Sequence, residues 1–162
     1  MKKWLIVLAI FMTGCVHRDV VQEFPDESAL LERTQEFYTF LLGREIGIWH
    51  NDQEKEFTEF FLSTESRYDF MDSIIYILRK RNIYRNTISH YYILGIEVSE
   101  DGTSAEVKVK LLSRDTYLLY RKIDATQHWE KYTGTWYPKK IEAPELNWYQ
   151  EYTEMYGLPP TD

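Results

Sequence analysis

The stretch YYILGIEVSEDGTSAEVKVKLL, residues 91–112, decides the fold because it reads as two β-strands joined at Asp101-Gly102. An Asp-Gly pair between two runs of alternating apolar and polar residues is the strongest short-range signal for a β-hairpin. A two-residue loop at this point pairs Val98 with Ala105 and continues outward until Tyr92 pairs with Leu111. One face of the hairpin then carries only apolar side chains, namely Tyr92, Leu94, Ile96, Val98, Ala105, Val107, Val109 and Leu111. Such a hairpin is not stable alone in water, so we expect helices to cover this face.

The opposite face of the hairpin is mixed, with Gly95 facing Lys108 and Ile93 facing Lys110. Glu97 faces Glu106, an unfavourable pair, but Lys108 lies diagonally within reach of Glu97, and we expect an ion pair there. A register shift of one residue would turn every apolar side chain outward. The register is therefore well specified.

Three amphipathic helices are predicted before the hairpin. The first begins with Asp26 as its N-cap and ends at Gly43, which suits a helix C-terminus. Its apolar positions recur at intervals of three and four: Leu30, Leu31, Thr34, Phe37, Tyr38, Leu41 and Leu42. This spacing predicts a helix with one buried face.

The second and third helices follow in residues 52–81. Asp52 is the predicted N-cap of the second helix, which runs to about Leu62 with Phe57, Phe60 and Phe61 as its apolar stripe. Ser63 or Thr64 begins the third helix, and the side chains predicted to face inward are Tyr68, Met71, Ile74, Ile75 and Leu78. Basic residues 79–81 at its end suit the negative pole of the helix dipole, and a solvated terminus explains them without a partner.

The strands after the hairpin are less regular. Residues 116–132 are rich in β-formers, Thr133-Gly134 forms a turn, and Thr135 begins a last strand that Pro138 should confine to a sheet edge or a bulge. Residues 144–156 show aromatic side chains at helical spacing, namely Trp148, Tyr149, Tyr152 and Tyr156. This predicts a short C-terminal helix that either packs back onto the sheet or forms a docking surface for a partner or ligand.

The N-terminus has the layout of a secretory signal: Lys2 and Lys3 precede an apolar run over residues 4–12, which is too short for a permanent membrane span. The segment Met12-Thr13-Gly14-Cys15 resembles the bacterial lipobox, although Met12 stands where Leu is usual. The resemblance implies cleavage after Gly14 and lipidation of Cys15, and Val16 favours the outer membrane, facing the periplasm. In a host with one membrane, the location would be the outer leaflet of the cell membrane. A plain signal peptide or a buried free cysteine remains the alternative.

Composition predicts a single acidic domain. Removal of residues 1–14 leaves 148 residues and moves the formal net charge from −7 to −9. This balance argues against nucleic acid as a partner, because binding to phosphates needs a basic face. Aromatic residues make up 16% of the chain, which fits either a tyrosine-rich core or an aromatic surface for a ligand or glycan. The predicted organisation is a signal peptide (1–14), a lipidated tether (15–25), an α+β domain (26–142) and an aromatic C-terminal segment (143–162).

The order of elements predicts an α+β fold, in which three N-terminal helices pack on a curved, cone-like antiparallel sheet of about four strands, followed by a short C-terminal helix. The chain resembles the nuclear transport factor 2-like superfamily, which includes ketosteroid isomerases and polyketide cyclases. The residues that carry this resemblance are the helix 30–42, the helix entry 63–67, the strand 105–109 and the segment 134–137. Enzymes of this fold place an Asp, His or Tyr inside the cone, where burial shifts its pKa.

The predicted inner face of the hairpin holds no carboxylate and no imidazole. The remaining polar candidates for a pocket are His90, Asp52 and His128, with Asp69 as a further one, and a surface role suits each of them better than catalysis. The sequence contains no motif for a metal or another cofactor, so we predict neither. The favoured hypothesis is a non-catalytic, lipid-anchored envelope protein that binds a partner protein, a lipid or a small apolar or glycan ligand. The alternative is a small pocket enzyme of the isomerase or dehydratase type.

Overall fold

The first half of the chain forms helices that cover one face of a sheet formed by the second half. The computed structural model describes residues 25–145. Its elements are α1 (Pro25–Leu41), α2 (Asn51–Thr58), α3 (Thr64–Lys80), a 3₁₀ turn (Tyr84–Asn86), β1 (His90–Val98), β2 (Ser104–Arg114), β3 (Tyr120–Tyr132) and β4 (Thr135–Glu142). The predicted α+β architecture is confirmed. The signal peptide, most of the tether and the predicted C-terminal helix from residue 146 onward lie outside the described residues.

The sheet is a curved antiparallel meander in the order β1-β2-β3-β4. Each strand pairs with the next along the chain, because short turns join them. No helix among residues 25–145 is long and apolar enough to span a bilayer.

The turn end of the predicted hairpin is confirmed. Val98 pairs with Ala105, Ile96 with Val107 and Glu97 with Glu106, and the Lys108 ammonium binds Glu97 at 2.5 Å. Asp101 organises the turn: its Oδ1 accepts hydrogen bonds from Ser99 Oγ at 2.6 Å and from the Thr103 N–H at 3.0 Å. These two bonds lower the pKa of Asp101 to about 2, so the turn keeps its charged form down to strongly acidic pH.

The outer half of the hairpin differs from the prediction because of a β-bulge at Leu94. Gly95 pairs with Lys108, but the next pair is Ile93 with Val109, which leaves Leu94 as the extra residue. Tyr92 and Leu94, predicted to face the core, are therefore more than half exposed. Gly95 was the available signal, since glycine inside a strand often marks a bulge.

The bulge turns Tyr91 and Ile93 toward the helices instead. Tyr91 stacks on Tyr38 of α1 with ring centroids 5.2 Å apart, and its hydroxyl donates to the Gln35 carbonyl at 3.3 Å. This contact fixes β1 against α1.

Helix ends agree with the sequence prediction in one case and differ in another. Ser63 is the N-cap of α3, where its Oγ accepts a hydrogen bond from the Ser66 N–H at 3.1 Å. In α2, by contrast, His50 is the N-cap, and Asp52 lies in the first turn. The His50 N–H donates to Gln53 Oε1 at 3.2 Å, so the glutamine side chain satisfies the backbone donor that precedes the helix.

The buried face of α3 is rotated from the predicted one. Its buried side chains are Phe70, Ile74, Ile77 and Leu78, whereas Tyr68 is 58% exposed and Met71 and Ile75 are half-buried. The helix has two apolar stripes that overlap, and the stripe with Phe70 faces the core because that ring packs on Phe37, 5.1 Å away. The second stripe stays at the surface.

The last two strands form a hairpin at Thr133-Gly134, as predicted, and β4 is an edge strand. The β3–β4 register shifts between His128 and Trp129, where Pro138 is paired, so proline occupies both a bulge and an edge. β3 begins at Tyr120, four residues later than predicted.

Aromatic rings fill the space between the helices and the sheet. The Phe37 ring lies within 6.1 Å of six other rings, those of Tyr38, Phe57, Phe60, Phe61, Phe70 and Trp129. Trp129 and Trp136 are also buried on the inner face of the sheet. Much of the predicted cone is therefore packed core.

Candidate functional site

The structure does not bring the sequence-predicted pocket residues together. His90 is exposed at the start of β1, Asp52 is exposed in α2, and Asp69 is exposed on α3. Trp148, Tyr149, Tyr152 and Tyr156 lie outside the described residues. Only His128 has ionisable neighbours of note.

His128 lies on the outer face of the sheet, between two glutamates. Its Nδ1 is 3.5 Å from Glu106 Oε1, and its Nε2 is 3.3 Å from Glu142 Oε2. The Lys140 ammonium, helped by His128, lowers the pKa of Glu142. Among residues 25–145 no cluster of three or more His, Cys, Asp or Glu side chains is placed to hold a metal ion. This row of charges is a cross-strand ladder on a solvated face.

The interior of the described domain contains few polar groups: the buried polar and charged side chains are Thr34, Ser113, Asp115 and Gln127. Thr34 donates to the Leu30 carbonyl within its own helix at 2.7 Å. Gln127 is fully buried on β3 between Val107 and Ile141, and neither atom of its amide has a partner among the described residues. Burial also raises the pKa of the Tyr38 hydroxyl, which keeps that group protonated.

The most unusual surface feature is the loop between β2 and β3. Its residues Tyr117, Leu118 and Leu119, together with Tyr120 at the start of β3, are between 48% and 79% exposed. Four consecutive large apolar side chains at the surface exceed the scattered exposure that is normal for a soluble domain. A loop of this composition indicates a contact surface.

Hydrogen bonds to the buried Asp115 carboxylate hold this loop in place. Its Oδ1 accepts hydrogen bonds from the Tyr117 and Leu119 N–H groups at 2.8 and 2.9 Å, and its Oδ2 binds Arg121 Nε at 2.9 Å. Burial acts to raise the pKa of Asp115, but the Leu119 N–H and the Arg121 guanidinium outweigh it and lower that pKa. The buried carboxylate is therefore charged, and the loop is preorganised.

Leu118 adopts a left-handed backbone conformation with φ of +63°. A bulky residue is rare in this region, which favours Gly, Asn or Asp. Strained residues cluster at binding and catalytic sites, because the cost is tolerated where the side chain has a role. Leu118 is thus both strained and more than half exposed.

Basic residues flank the loop in the chain. The Thr116 N–H donates to the Asn82 carbonyl at 2.9 Å, so the end of α3 and the segment after it lie beside the loop. We define the loop end as residues 116–120 with the basic residues that flank them in the chain, Arg114, Arg121 and Lys122. This end is basic although the chain as a whole carries a formal charge of −7.

The start of α1 lies at the opposite end of the sheet. Asp26, at the start of α1, binds Lys131 Nζ at 2.5 Å, and Lys131 lies near the far end of β3 from Tyr120. The strand from Tyr120 to Tyr132 spans about 40 Å at roughly 3.3 Å per residue. The loop end and the start of α1 therefore lie at opposite ends of the sheet.

Sequence reasoning missed this loop because residues 116–119 have high β-propensity and alternate like a strand. The available signal was Asp115, since Asp side chains accept hydrogen bonds from backbone N–H groups two residues ahead and so initiate turns. Propensity alone did not reveal that the strand is interrupted.

No protein-family model and no curated protein sequence matches the chain. Among solved structures it is similar to a SEC-C motif-containing protein from Rhodopseudomonas palustris, with a TM-score of 0.43, 16% identity and coverage of 74% of this chain and 78% of that one. It is also similar to the intermembrane space region of the chloroplast protein ARC6, with a TM-score of 0.43, 14% identity and coverage of 69% of this chain and 94% of that one. For Aln2 from a Streptomyces species, the TM-score is 0.39, the identity is 12%, and the coverage is 71% of this chain and 89% of that one.

Proposed function

We propose that the protein is a lipid-anchored bacterial envelope protein whose folded domain binds a partner protein through the loop end. The observation that carries the binding role is the preorganised loop, which exposes Tyr117, Leu118 and Leu119 around a strained backbone. Tyr and Arg, which dominate this end, are the side chains that contribute most at protein interfaces. Its positive charge favours a partner with an acidic surface.

A non-catalytic role agrees with the interior of the domain. Among residues 25–145, the only buried carboxylate is Asp115, and it is engaged in holding the loop. His90, Asp52 and His128 are not in the space between the helices and the sheet. General acid–base chemistry needs an ionisable group within reach of a bound substrate.

The nuclear transport factor 2-like fold is part of the same proposal. Three helices before a four-stranded antiparallel meander are the arrangement that the resemblance implies. Gln127 is the one observation that favours the alternative, a small pocket enzyme, since its amide lies on the inner face of the sheet without a partner among residues 25–145. An amide can orient a polar ligand but does not transfer a proton at neutral pH.

The lipid anchor is tested by metabolic labelling with a radioactive fatty acid. We expect label on the wild-type protein, because two or three acyl chains on Cys15 make stable anchoring. The Cys15→Ser variant should lose both the label and its place in the membrane fraction. Label retained in that variant would mean attachment elsewhere.

The binding surface is tested in intact cells with the photo-crosslinking residue p-benzoylphenylalanine. Placed at Tyr117, it should capture a discrete protein partner. Placed at Tyr92, another tyrosine that is more than half exposed, on the outer side of β1, it should not. Equal capture at both positions would contradict a specific surface.

A variant of the loop separates binding from stability. Leu118→Asn should abolish capture from position 117, while the free energy of unfolding stays the same or rises, because Asn tolerates positive φ better than Leu. Urea unfolding supplies the stability measurement. Capture that persists in Leu118→Asn would remove the loop from the interface, and capture of lipid alone would overturn the protein partner.

A further inference from the structure

The outward face of α3 carries an apolar centre between two opposite charges. The spacing of three and four residues places four side chains on this face, away from the buried Phe70: Asp72, Ile75, Tyr76 and Arg79. Tyr76 is 62% exposed, Ile75 is half-buried, and both charged residues are exposed. All four line one depression of about 400 Å³ on the surface of the helix.

Neither charge on this face has a partner among residues 25–145. The Asp72 carboxylate and the Arg79 guanidinium form no ion pair or side-chain hydrogen bond with another residue of that range. The two positions are seven residues apart, about 10 Å along the helix at 1.5 Å per residue, so they are too distant to pair with each other. By contrast, the Lys80 ammonium lies 5.3 Å from the Tyr76 ring of its own helix.

The segment between α1 and α2 holds Ile75 in place. Gly47, at φ +93°, brings its backbone close to α3, and a Cβ at this glycine would lie 3.2 Å from Ile75 Cδ1. Trp49 of the same segment packs on Phe57, with ring centroids 4.1 Å apart. The apolar centre is therefore positioned in advance, which reduces the conformational entropy that association would cost.

This arrangement of charges is complementary to itself in one orientation. When two such helices pack antiparallel about a two-fold axis between positions 75 and 76, position 72 of each helix lies opposite position 79 of the other. Asp72 then meets Arg79 twice, and the Ile75 and Tyr76 side chains of both copies meet at the axis. Parallel packing would set Asp72 against Asp72 and Arg79 against Arg79, and like charges at an interface are unfavourable.

We infer that a second copy of the chain binds this face, with the two α3 helices antiparallel and two Asp72–Arg79 ion pairs on either side of the apolar centre. The contact consists of one helix face from each copy. Such an interface is smaller than the standard protein–protein contact, so the dimer is weak and reversible. This inference does not rest on the proposed partner binding at the loop end.

The test uses intact cells that express two full-length copies with different affinity tags, one of which carries p-benzoylphenylalanine in place of Tyr76. After irradiation, we expect a covalent dimer that carries both tags, with the crosslink in residues 68–80 of the second copy. The same photo-crosslinking residue at Tyr92, on the outer side of the sheet, should give no such dimer. Crosslinks from position 76 that form only within one copy, that reach only other proteins, or that do not form at all would overturn the inference.

Charge reversals test which residues face each other. Asp72→Arg in both copies should lower the yield of covalent dimer at least about fivefold, because like charges replace both ion pairs, and Arg79→Asp in both copies should do the same. When one copy carries Asp72→Arg and the other carries Arg79→Asp, every arginine again faces an aspartate, and the yield should recover. Variants that fail to fold cannot give this recovery, so a yield that stays low in the mixture would contradict the assigned pairing.

Asp124→Arg in both copies is the matched control. It makes the same change in net charge at an exposed position of β3, outside the proposed contact. The yield of covalent dimer from position 76 should stay at the wild-type level. A loss equal to that of Asp72→Arg would mean that net charge, rather than the pair formed by Asp72 and Arg79, controls the association.

Discussion

Asp115 shows how one buried carboxylate determines a local conformation. The carboxylate accepts hydrogen bonds from two backbone N–H groups and from a guanidinium. These bonds replace the ones that a continuous strand would supply to residues 117–119. The same interactions explain why a stretch of strong β-formers turns outward here. Local propensity is a weak preference that such a network overrides.

Replacement of Asp115 by Asn should lower the free energy of unfolding by about 2–3 kcal/mol at pH 7, the typical value of hydrogen bonds to a charged group. Asp124→Asn is the matched control, because the Asp124 carboxylate is exposed and its ion pair with Lys110 is long, at 3.6 Å. Loss of that ion pair should lower the free energy of unfolding by at most about 0.5 kcal/mol. Urea unfolding measures both. Equal effects would mean that Asp115 does not organise the loop.

The stabilising contribution of Asp115 depends on pH in a defined direction. Its pKa in the folded state is lowered, so the contribution is complete above the unfolded-state pKa of about 3.9 and is lost as pH falls through the folded value. The difference in stability between the wild type and Asp115→Asn should therefore be constant from pH 7 to about 5 and shrink below about 4. A constant difference down to pH 2 would contradict the charged state assigned here.

Gln127 makes the opposite kind of prediction, because its buried amide has no partner among the described residues. A buried amide without hydrogen bonds costs roughly 1–3 kcal/mol, and Leu has a similar volume. Gln127→Leu should therefore raise the free energy of unfolding by about 1–2 kcal/mol. A loss of stability instead would show that the amide binds a water or a ligand.

At the scale of the element, β1 shows where an alternating sequence pattern stops predicting which face of a strand is buried. Alternation predicts which face a strand buries only while the register is continuous, and the bulge at Leu94 reverses the assignment for every residue before it. Val98 and Ile96 were therefore placed correctly, whereas Tyr92 and Leu94 were not. The same limit applies to α3, where two apolar stripes compete and tertiary packing on Phe37 decides between them.

The bulge predicts a contrast between neighbouring substitutions. Ile93→Asp should lower the free energy of unfolding by at least about 2 kcal/mol, because it places a charge against the core. Leu94→Asp should change it by no more than about 0.5 kcal/mol, since Leu94 is 57% exposed. A continuous strand would give the reverse order, which denaturant titration of the two variants distinguishes.

At the scale of the whole molecule, the sequence predicted the order of the elements and the helices that cover the sheet. Both depend on local signals, namely Ser63 at a helix start, Asp101-Gly102 at a turn and Pro138 at an edge. The candidate site did not follow, since it depends on residues far apart in the chain. Asn82 and Thr116 meet only because α3 and the β2–β3 loop end at the same side of the domain.

The two ends of the sheet predict an orientation relative to the membrane. If the protein is anchored in vesicles through Cys15, as we propose, a fluorophore on a cysteine at position 132, near the start of α1, should be quenched by nitroxide lipids more strongly than one at position 117. Both positions are well exposed, so labelling itself does not distinguish them. Equal quenching would show that the domain lies flat on the bilayer.

The separation of these ends has a consequence for where a partner can be met. A ten-residue tether extends at most about 33–36 Å, and the strand between the two ends adds about 40 Å. If Cys15 is lipidated as we propose, the apolar loop reaches targets within about 75 Å of the anchored residue. The number of residues between Cys15 and α1 then limits the depth in the envelope at which a partner can be bound.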